Sequence, residues 1–365
     1  MTAIRSLCRL LEGFLVPSLF LAGIPAGASV VQGDLTIFAT GFSVPESITP
    51  VSSGFGLSGG GYIIPDPTVN RTGIPEIYTL PLTGGTPTSL AVPNFFPLGG
   101  VILPSGYSAA GDYLAVGFVT SPAVNGFAST VDSSGNITPV VSNSGSAFTS
   151  AVVAPSGFGS AGGEVLIADE NTSNIYVLAP DGSTSILTNI GSAIPGGEPF
   201  GLAFAPAGFG SIGGDLLASD SSNGKIFAID SSGNVSLFTT IPLGTGQPGL
   251  RQMAIAPSGY GNYGGDLFVS VSGSTAGGGT FGSVVAVNAS GGEDAIINQG
   301  SLPNAFDPRG LYFPNSSELL IADSDPIHIA KPNNFNPVPE PGYYWLFGMA
   351  AIGLIVVRRQ KAMAR

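Results

Sequence analysis

One phrase returns along this chain at a nearly fixed interval, and that interval limits the folds open to it. Pro155-Ser-Gly-Phe-Gly-Ser-Ala-Gly-Gly-Glu-Val-Leu-Ile-Ala-Asp169 recurs from Pro206 to Asp220 and again, with Tyr for Phe, from Pro257. Weaker copies begin at Ser52 and Pro104, and a truncated one runs from Pro314 to Asp323. The starts are spaced by 52, 51, 51, 51 and 57 residues, the last interval being stretched by a Gly-rich insertion between Ser272 and Ser283. Such self-similarity marks a stacked or radial repeat, in which each unit buries its apolar face against its neighbours.

Each unit holds four short apolar runs. In the fourth they are 201–205, 215–219, 225–230 and 235–240, rich in Val, Ile, Leu and Phe and bounded by Gly, Asp, Asn and Ser. That is strand composition with turn punctuation. Asp230-Ser-Ser-Gly233-Asn234 reads as a hairpin turn, with Gly where a positive φ is required. No run keeps a 3.6-residue period, and 55 Gly with 30 Pro would break long helices. Four strands repeated six times predict an all-β, six-bladed propeller over residues 29–332. The sixth unit has only three runs, ending near 327–330, and its fourth is supplied from the other end of the chain. Residues 34–40, Asp-Leu-Thr-Ile-Phe-Ala-Thr, resemble 235–240, so an N-terminal strand closes the ring and removes an open edge.

The two ends read as addresses. Residues 1–28 form a signal peptide: Arg5 and Arg9 before an apolar stretch from Phe14 to Ile24, then the small residues Ala26-Gly27-Ala28. The single Cys lies in that peptide, so the exported chain carries no disulfide. Residues 333–341 are a linker, residues 342–357 an apolar helix of roughly 24 Å, short for a membrane span, and residues 358–365 a basic cytoplasmic tail. Val338-Pro339-Glu340-Pro341, the apolar run and Arg358-Arg359 together closely resemble the PEP-CTERM sorting signal of Gram-negative bacteria. That resemblance implies processing by an exosortase-type membrane protease. It also implies transient anchorage in the inner membrane, then display or release at the cell surface, often beside exopolysaccharide.

Within the repeat, Leu166-Ile-Ala-Asp169, Asn174-Ile-Tyr-Val and Asp181-Gly182 are similar to blades of NHL-repeat and gluconolactonase-like propellers. The resemblance implies fold, and it raises a Ca²⁺-dependent hydrolase or lactonase as an alternative to a binding or scaffold protein.

Residues present in every blade serve the blade; residues present in one break the symmetry and point to a ligand. Phe55, Tyr107, Phe158, Phe209 and Tyr260 occupy equivalent positions, as a sugar-stacking ring or as packing between blades. Asp66, Asp169, Asp220 and Asp323 end second strands. Their oxygens suit Ca²⁺ and equally suit capping of the turn that follows. The non-repeated charges Glu46, Glu198, Arg251, Asp307 and Arg309 fall at or just before innermost strands, where the central channel opens. They are the candidate ligand-binding set, with a network of salt bridges as the ordinary alternative.

Other chemistries are excluded by residue supply. His328 is the sole imidazole, so neither a second-site Ser-His-Asp triad nor a His-based zinc site can assemble. Gly59-Gly-Gly61 and Gly277-Gly-Gly279 lack the Lys-Ser/Thr and helix of a phosphate loop. Between the two addresses stand 21 acids and only five bases, Arg71, Lys225, Arg251, Arg309 and Lys331, which rules out nucleic acid as a partner.

Overall fold

A computed structural model describes residues 35–67, 73–244, 247–273, 282–298, 306–324 and 327–332. The signal peptide, the linker, the apolar helix and the basic tail lie outside the described residues. Among the described residues no helix is long and apolar enough to cross a membrane.

The described strands form six four-stranded antiparallel sheets, the blades of a six-bladed propeller. Blade 4 is representative: Pro199–Phe204 innermost, then Leu216–Asp220, Lys225–Ile229 and Val235–Thr240 outermost. These bounds differ from the sequence reading by one or two residues. The innermost strands of blades 1 to 6 are Thr49–Val51, Phe96–Ile102, Phe148–Val153, Pro199–Phe204, Leu250–Ile255 and Pro308–Asn315. Blade 6 takes its outermost strand, Leu35–Thr40, from the N-terminal side. That strand pairs antiparallel with Ile327–Pro332, Leu35 opposite Pro332 and Thr40 opposite His328.

The second strand of a blade is buried along its whole length, as in Val165–Asp169 and Leu216–Asp220, because neighbouring blades cover both of its faces. It therefore reads as an unbroken apolar run, not an alternating one. The outermost strands, such as Val235–Thr240, are only partly buried and leave Ser236, Leu237 and Thr240 in water. The core is accordingly divided by seam. Ala203, Leu217 and Ile226 of blade 4 pack on Leu250, Leu267 and Val285 of blade 5. An equivalent cluster fills each of the other five seams, including that between blades 6 and 1, where Leu320 and Ile329 meet Ile64 and Leu80. Every blade is buried on both sides, so the ring has no weak joint.

The repeated Gly-Phe-Gly loop is explained by what it touches. Phe158, Phe209 and Tyr260 are almost fully buried. Phe158 meets Phe204 at 5.0 Å edge to face, and Tyr260 meets Phe313 of blade 6 at 4.7 Å. Gly159 has φ +52°, and a Cβ there would lie 2.5 Å from the carbonyl oxygen of Ser231, in the outer hairpin of blade 4. Gly210 stands in the same relation to Ala289 of blade 5, at 2.7 Å. The loop thus docks on the next blade's hairpin, and only Gly combines that φ with that closeness.

Antiparallel order within blades assigns every loop to a face. Innermost strands start on one face, here called upper, and end on the lower face. The second strands return to the upper face, so Asp66, Asp169, Asp220 and Asp323 lie there beside the channel mouth. Leu35 and Pro332 are both at the lower face. The chain therefore enters and leaves the propeller on the side opposite the mouth.

Candidate functional site at the channel mouth

The repeated aspartates are staples. Asp169 accepts from the backbone N–H of Ala147 at 2.8 Å, just before the innermost strand of its own blade, and from Asn171 N–H at 3.1 Å in the turn that follows. Asp220 takes Ser222 N–H at 2.8 Å, Asn223 N–H at 2.9 Å and Glu198 N–H at 3.3 Å. Asp66 takes Ser43 and Val44 N–H, and Asp323 takes Asp307 N–H at 2.9 Å. All four carboxylates are buried. Each ties an incoming inter-blade segment to the end of a second strand, which satisfies amides that have no sheet partner.

The non-repeated charges gather, with one exception. Arg309 and Arg251 rise from the innermost strands of blades 6 and 5, and Glu46 and Asp307 from the segments that precede blades 1 and 6. Asp307 is the hub. Its Oδ2 accepts from Arg309 Nη2 at 2.7 Å and Nε at 3.1 Å, and from Ser324 Oγ at 2.6 Å. Its Oδ1 accepts from Gly273 N–H at 2.8 Å and Ser272 Oγ at 2.9 Å, reaching across to blade 5. Glu46, buried at 6% exposure, faces Arg309 Nη1 at 3.8 Å. Burial by itself would lower the Arg309 pKa, but Glu46 and Asp307 raise it above the usual arginine value. Glu198 is the exception: it is exposed on the rim of blade 4 and accepts only from Ser221 Oγ, at 3.3 Å.

Arg251 is treated differently from Arg309. Its guanidinium carbon sits 4.6 Å above the ring of Phe200, a cation–π contact. Burial, then the like charge of Arg309, pushes its pKa below the usual arginine value. Phe200 belongs to a small buried apolar cluster with Leu98, Phe118 and Ala147, from blades 2, 3 and 4. Below the mouth Gln252 reaches past blade 4 to blade 3: its Nε2 donates to Thr149 carbonyl at 3.4 Å and its Oε1 accepts from Ser150 Oγ at 3.2 Å. Hydroxyls lock the inner ring, Thr149 to Phe200 carbonyl at 2.7 Å, Ser219 to Arg251 carbonyl at 2.6 Å and Ser270 to Arg309 carbonyl at 2.6 Å. No motif revealed Gln252, Phe200 or these clamps; their partners lie in other blades.

The residues at the mouth do not fit a calcium ion. Among the described residues no group of three or more His, Cys, Asp and Glu side chains is placed to hold a metal. Asp307 already accepts five hydrogen bonds, and both it and Glu46 face Arg309, which leaves neither carboxylate free for a cation. His328 falls in the third strand of blade 6, in register with Asp323. A hollow of 620 Å³ on the lower face, lined by residues including Phe55, Tyr62, Leu82 and Tyr312, has no charged side chain in its wall.

Residues 337–360 match the model of the PEP-CTERM protein-sorting motif. The tail is an exosortase sorting signal. It marks the chain as exported and as a substrate of an exosortase-type protease. No curated protein matches the chain. Among solved structures it is similar to a protein described as a putative gluconolactonase, at 16% identity and TM-score 0.54, covering 83% of this chain and 92% of that one. A gluconolactonase from Xanthomonas campestris is 15% identical, with TM-score 0.54, over 82% of this chain and 89% of that one. A streptogramin B lyase is 13% identical, with TM-score 0.51, over 82% and 97%. At such identities the likeness is one of fold.

Proposed function

We propose that this sorted propeller is a binding or scaffold protein of the cell surface or extracellular matrix, with its ligand, an extracellular polysaccharide, taken at the channel mouth. The observation that carries this reading is the placement of the mouth. The non-repeated charges Glu46, Arg251, Asp307 and Arg309 meet there, on the face opposite the one where the chain leaves toward its membrane signal. Pro332, the last described residue before that signal, lies on the opposite face, so an anchor attached beyond it need not cover the mouth. The repeated polar residues are consumed by the scaffold, and the carboxylate best placed for acid–base work, Asp307, is saturated by donors.

The test is to incubate the purified protein with matrix polysaccharide from an exosortase-bearing host, and in parallel with sugar lactones and sugar esters. Saturable binding without turnover supports the reading. Turnover of a lactone or ester that is lost in Asp307→Asn overturns it in favour of a hydrolase.

A further inference from the structure

We infer that the mouth is a receptor for a carboxylate, seated on Arg251, and that its ligand is an acidic sugar of the hexuronate kind. The inference rests on the reading of the mouth as the binding site and names the chemistry of what it binds.

Two guanidinium groups share one opening, and the structure neutralises only one. Both ion pairs among the described residues belong to Arg309. Among the described residues Arg251 has no carboxylate within ion-pair distance, and its Nε is buried without a hydrogen-bond partner. The acidic side chains that face it, Glu46, Glu170 and Asp307, act on it only from a distance, while Arg309 repels it. A cation drawn out of water and left without a partner opposes folding. The chain has few bases to spare, since only five stand between its two addresses, and it places two of them here. Arg251, half-buried, is thus held by the Phe200 ring and by carboxylates at a distance, which leaves its in-plane donors for an anion.

The surroundings narrow the anion. Guanidinium is planar and presents its N–H donors in its own plane, matching the two oxygens of a carboxylate. Here the Phe200 ring covers one side of the group, the guanidinium carbon lying 4.6 Å from its centroid. Behind it Leu98, Ala147 and Phe200 are buried, and the Gln252 amide is already hydrogen-bonded to Thr149 and Ser150, so the half-buried guanidinium is the group left to meet a ligand. The carboxylate is therefore the group this site selects, and the polysaccharide unit that carries one is a uronate. The acidic body of the protein would repel a long polyanion lying along its sides. The inference is therefore of one uronate unit entering end-on, not of a chain draped over the surface.

The test is calorimetric titration of the full-length chain in detergent with sodium D-glucuronate, D-glucose and inorganic phosphate. Glucuronate is expected to bind and glucose not, with affinity falling as salt rises. Loss of a charge-assisted pair is worth a weakening of roughly 10- to 100-fold, so Arg251→Met is expected to weaken glucuronate by at least about tenfold. Arg251→Lys keeps the charge without the fork and is expected to fall between; it also serves if the Met variant does not fold. Equal binding of glucose and glucuronate, or glucuronate binding unchanged in both variants, overturns the carboxylate assignment and leaves the mouth as a sugar site. Preference for phosphate overturns the carboxylate class. A folded wild-type protein that binds neither these sugars nor matrix polysaccharide overturns both readings.

Discussion

Replacing Asp307 by Ala removes the acceptor of five hydrogen bonds, two from Arg309 and one each from Ser272, Gly273 and Ser324. The Arg309 guanidinium, 18% exposed, would be left with Glu46 at 3.8 Å. Breaking a buried pair by deleting one partner costs about 3–5 kcal/mol, mostly because the surviving charge is stranded. The residual exposure of Arg309 and the survival of Glu46 place this case near the lower end, about 3 kcal/mol. Arg309→Met is milder, about 1–2 kcal/mol, since Asp307 keeps Ser272, Gly273 and Ser324 and so remains hydrogen-bonded. The double variant no longer strands the Arg309 guanidinium, although Glu46 is left without its cation as in Arg309→Met. Its cost is expected to fall short of the sum of the singles by about 1–2 kcal/mol, the coupling expected of residues in one network. Urea unfolding of the four proteins at pH 7, followed by circular dichroism with a common m-value, gives the cycle directly. Costs that add within about 0.5 kcal/mol, the behaviour of independent sites, would refute the description of Asp307 as the hub.

Other substitutions probe other parts of the account. Gly159→Ala forces a Cβ to 2.5 Å from Ser231 carbonyl in a left-handed backbone; a loss of about 2–3 kcal/mol is expected, against about 1 for Gly163→Ala, where φ is +84° but space is open. The comparison is a pair of chemical-denaturation midpoints. Asp266 has its pKa raised by burial and then by Asp294, so the folded state holds its charge less well than the unfolded chain does. Such a group's contribution is fully present below the unfolded pKa and is lost as pH rises through the folded one, so Asp266→Asn should stabilise the protein at pH 7 and do nothing near pH 3. The exposed turn aspartates Asp132 and Asp230 have the opposite sense. Hydrogen bonds from the Asn136 and Asn234 side chains, then their backbone N–H groups, lower their pKa values. Their stabilisation is present above the unfolded carboxylate pKa and fades as pH falls through the folded values; Asp230→Asn should therefore flatten the acid limb of a melting-temperature profile. Deleting residues 35–40 uncovers the edge of Ile327–Pro332, and sedimentation should show more self-association than for the intact chain.

Much of the fold was legible because its signals are local and repeated. The spacing counts blades, four apolar runs per unit count strands, and the likeness of residues 34–40 to 235–240 identified the closing strand seen at Leu35–Thr40. The buried second strands were legible as continuous apolar runs because blades cover both faces. The docking of the Gly-Phe-Gly loops was not, since Gly159 answers to Ser231, a residue of another blade. Position along the chain also placed Glu46 and Glu198 alike, each before an innermost strand. Only the side-chain direction separates them, inward to Arg309 for one and outward to Ser221 for the other. Arg251 and Arg309 likewise look equivalent in sequence. What separates them is Asp307, two residues from Arg309, whereas the position two before Arg251 is Gly249.

The central claim is that a removable anchor delivers this propeller to the cell exterior. It is tested most directly by the intact mass of the protein recovered from the surface and medium of an exosortase-bearing Gram-negative host. A species that ends near Pro339-Glu340-Pro341 and lacks residues 342–365, and that is lost when Glu340 and Pro341 are replaced by Ala, is the predicted result. Recovery of the chain with its apolar segment and Arg358-Arg359 still attached, in the presence of an active exosortase, would contradict it.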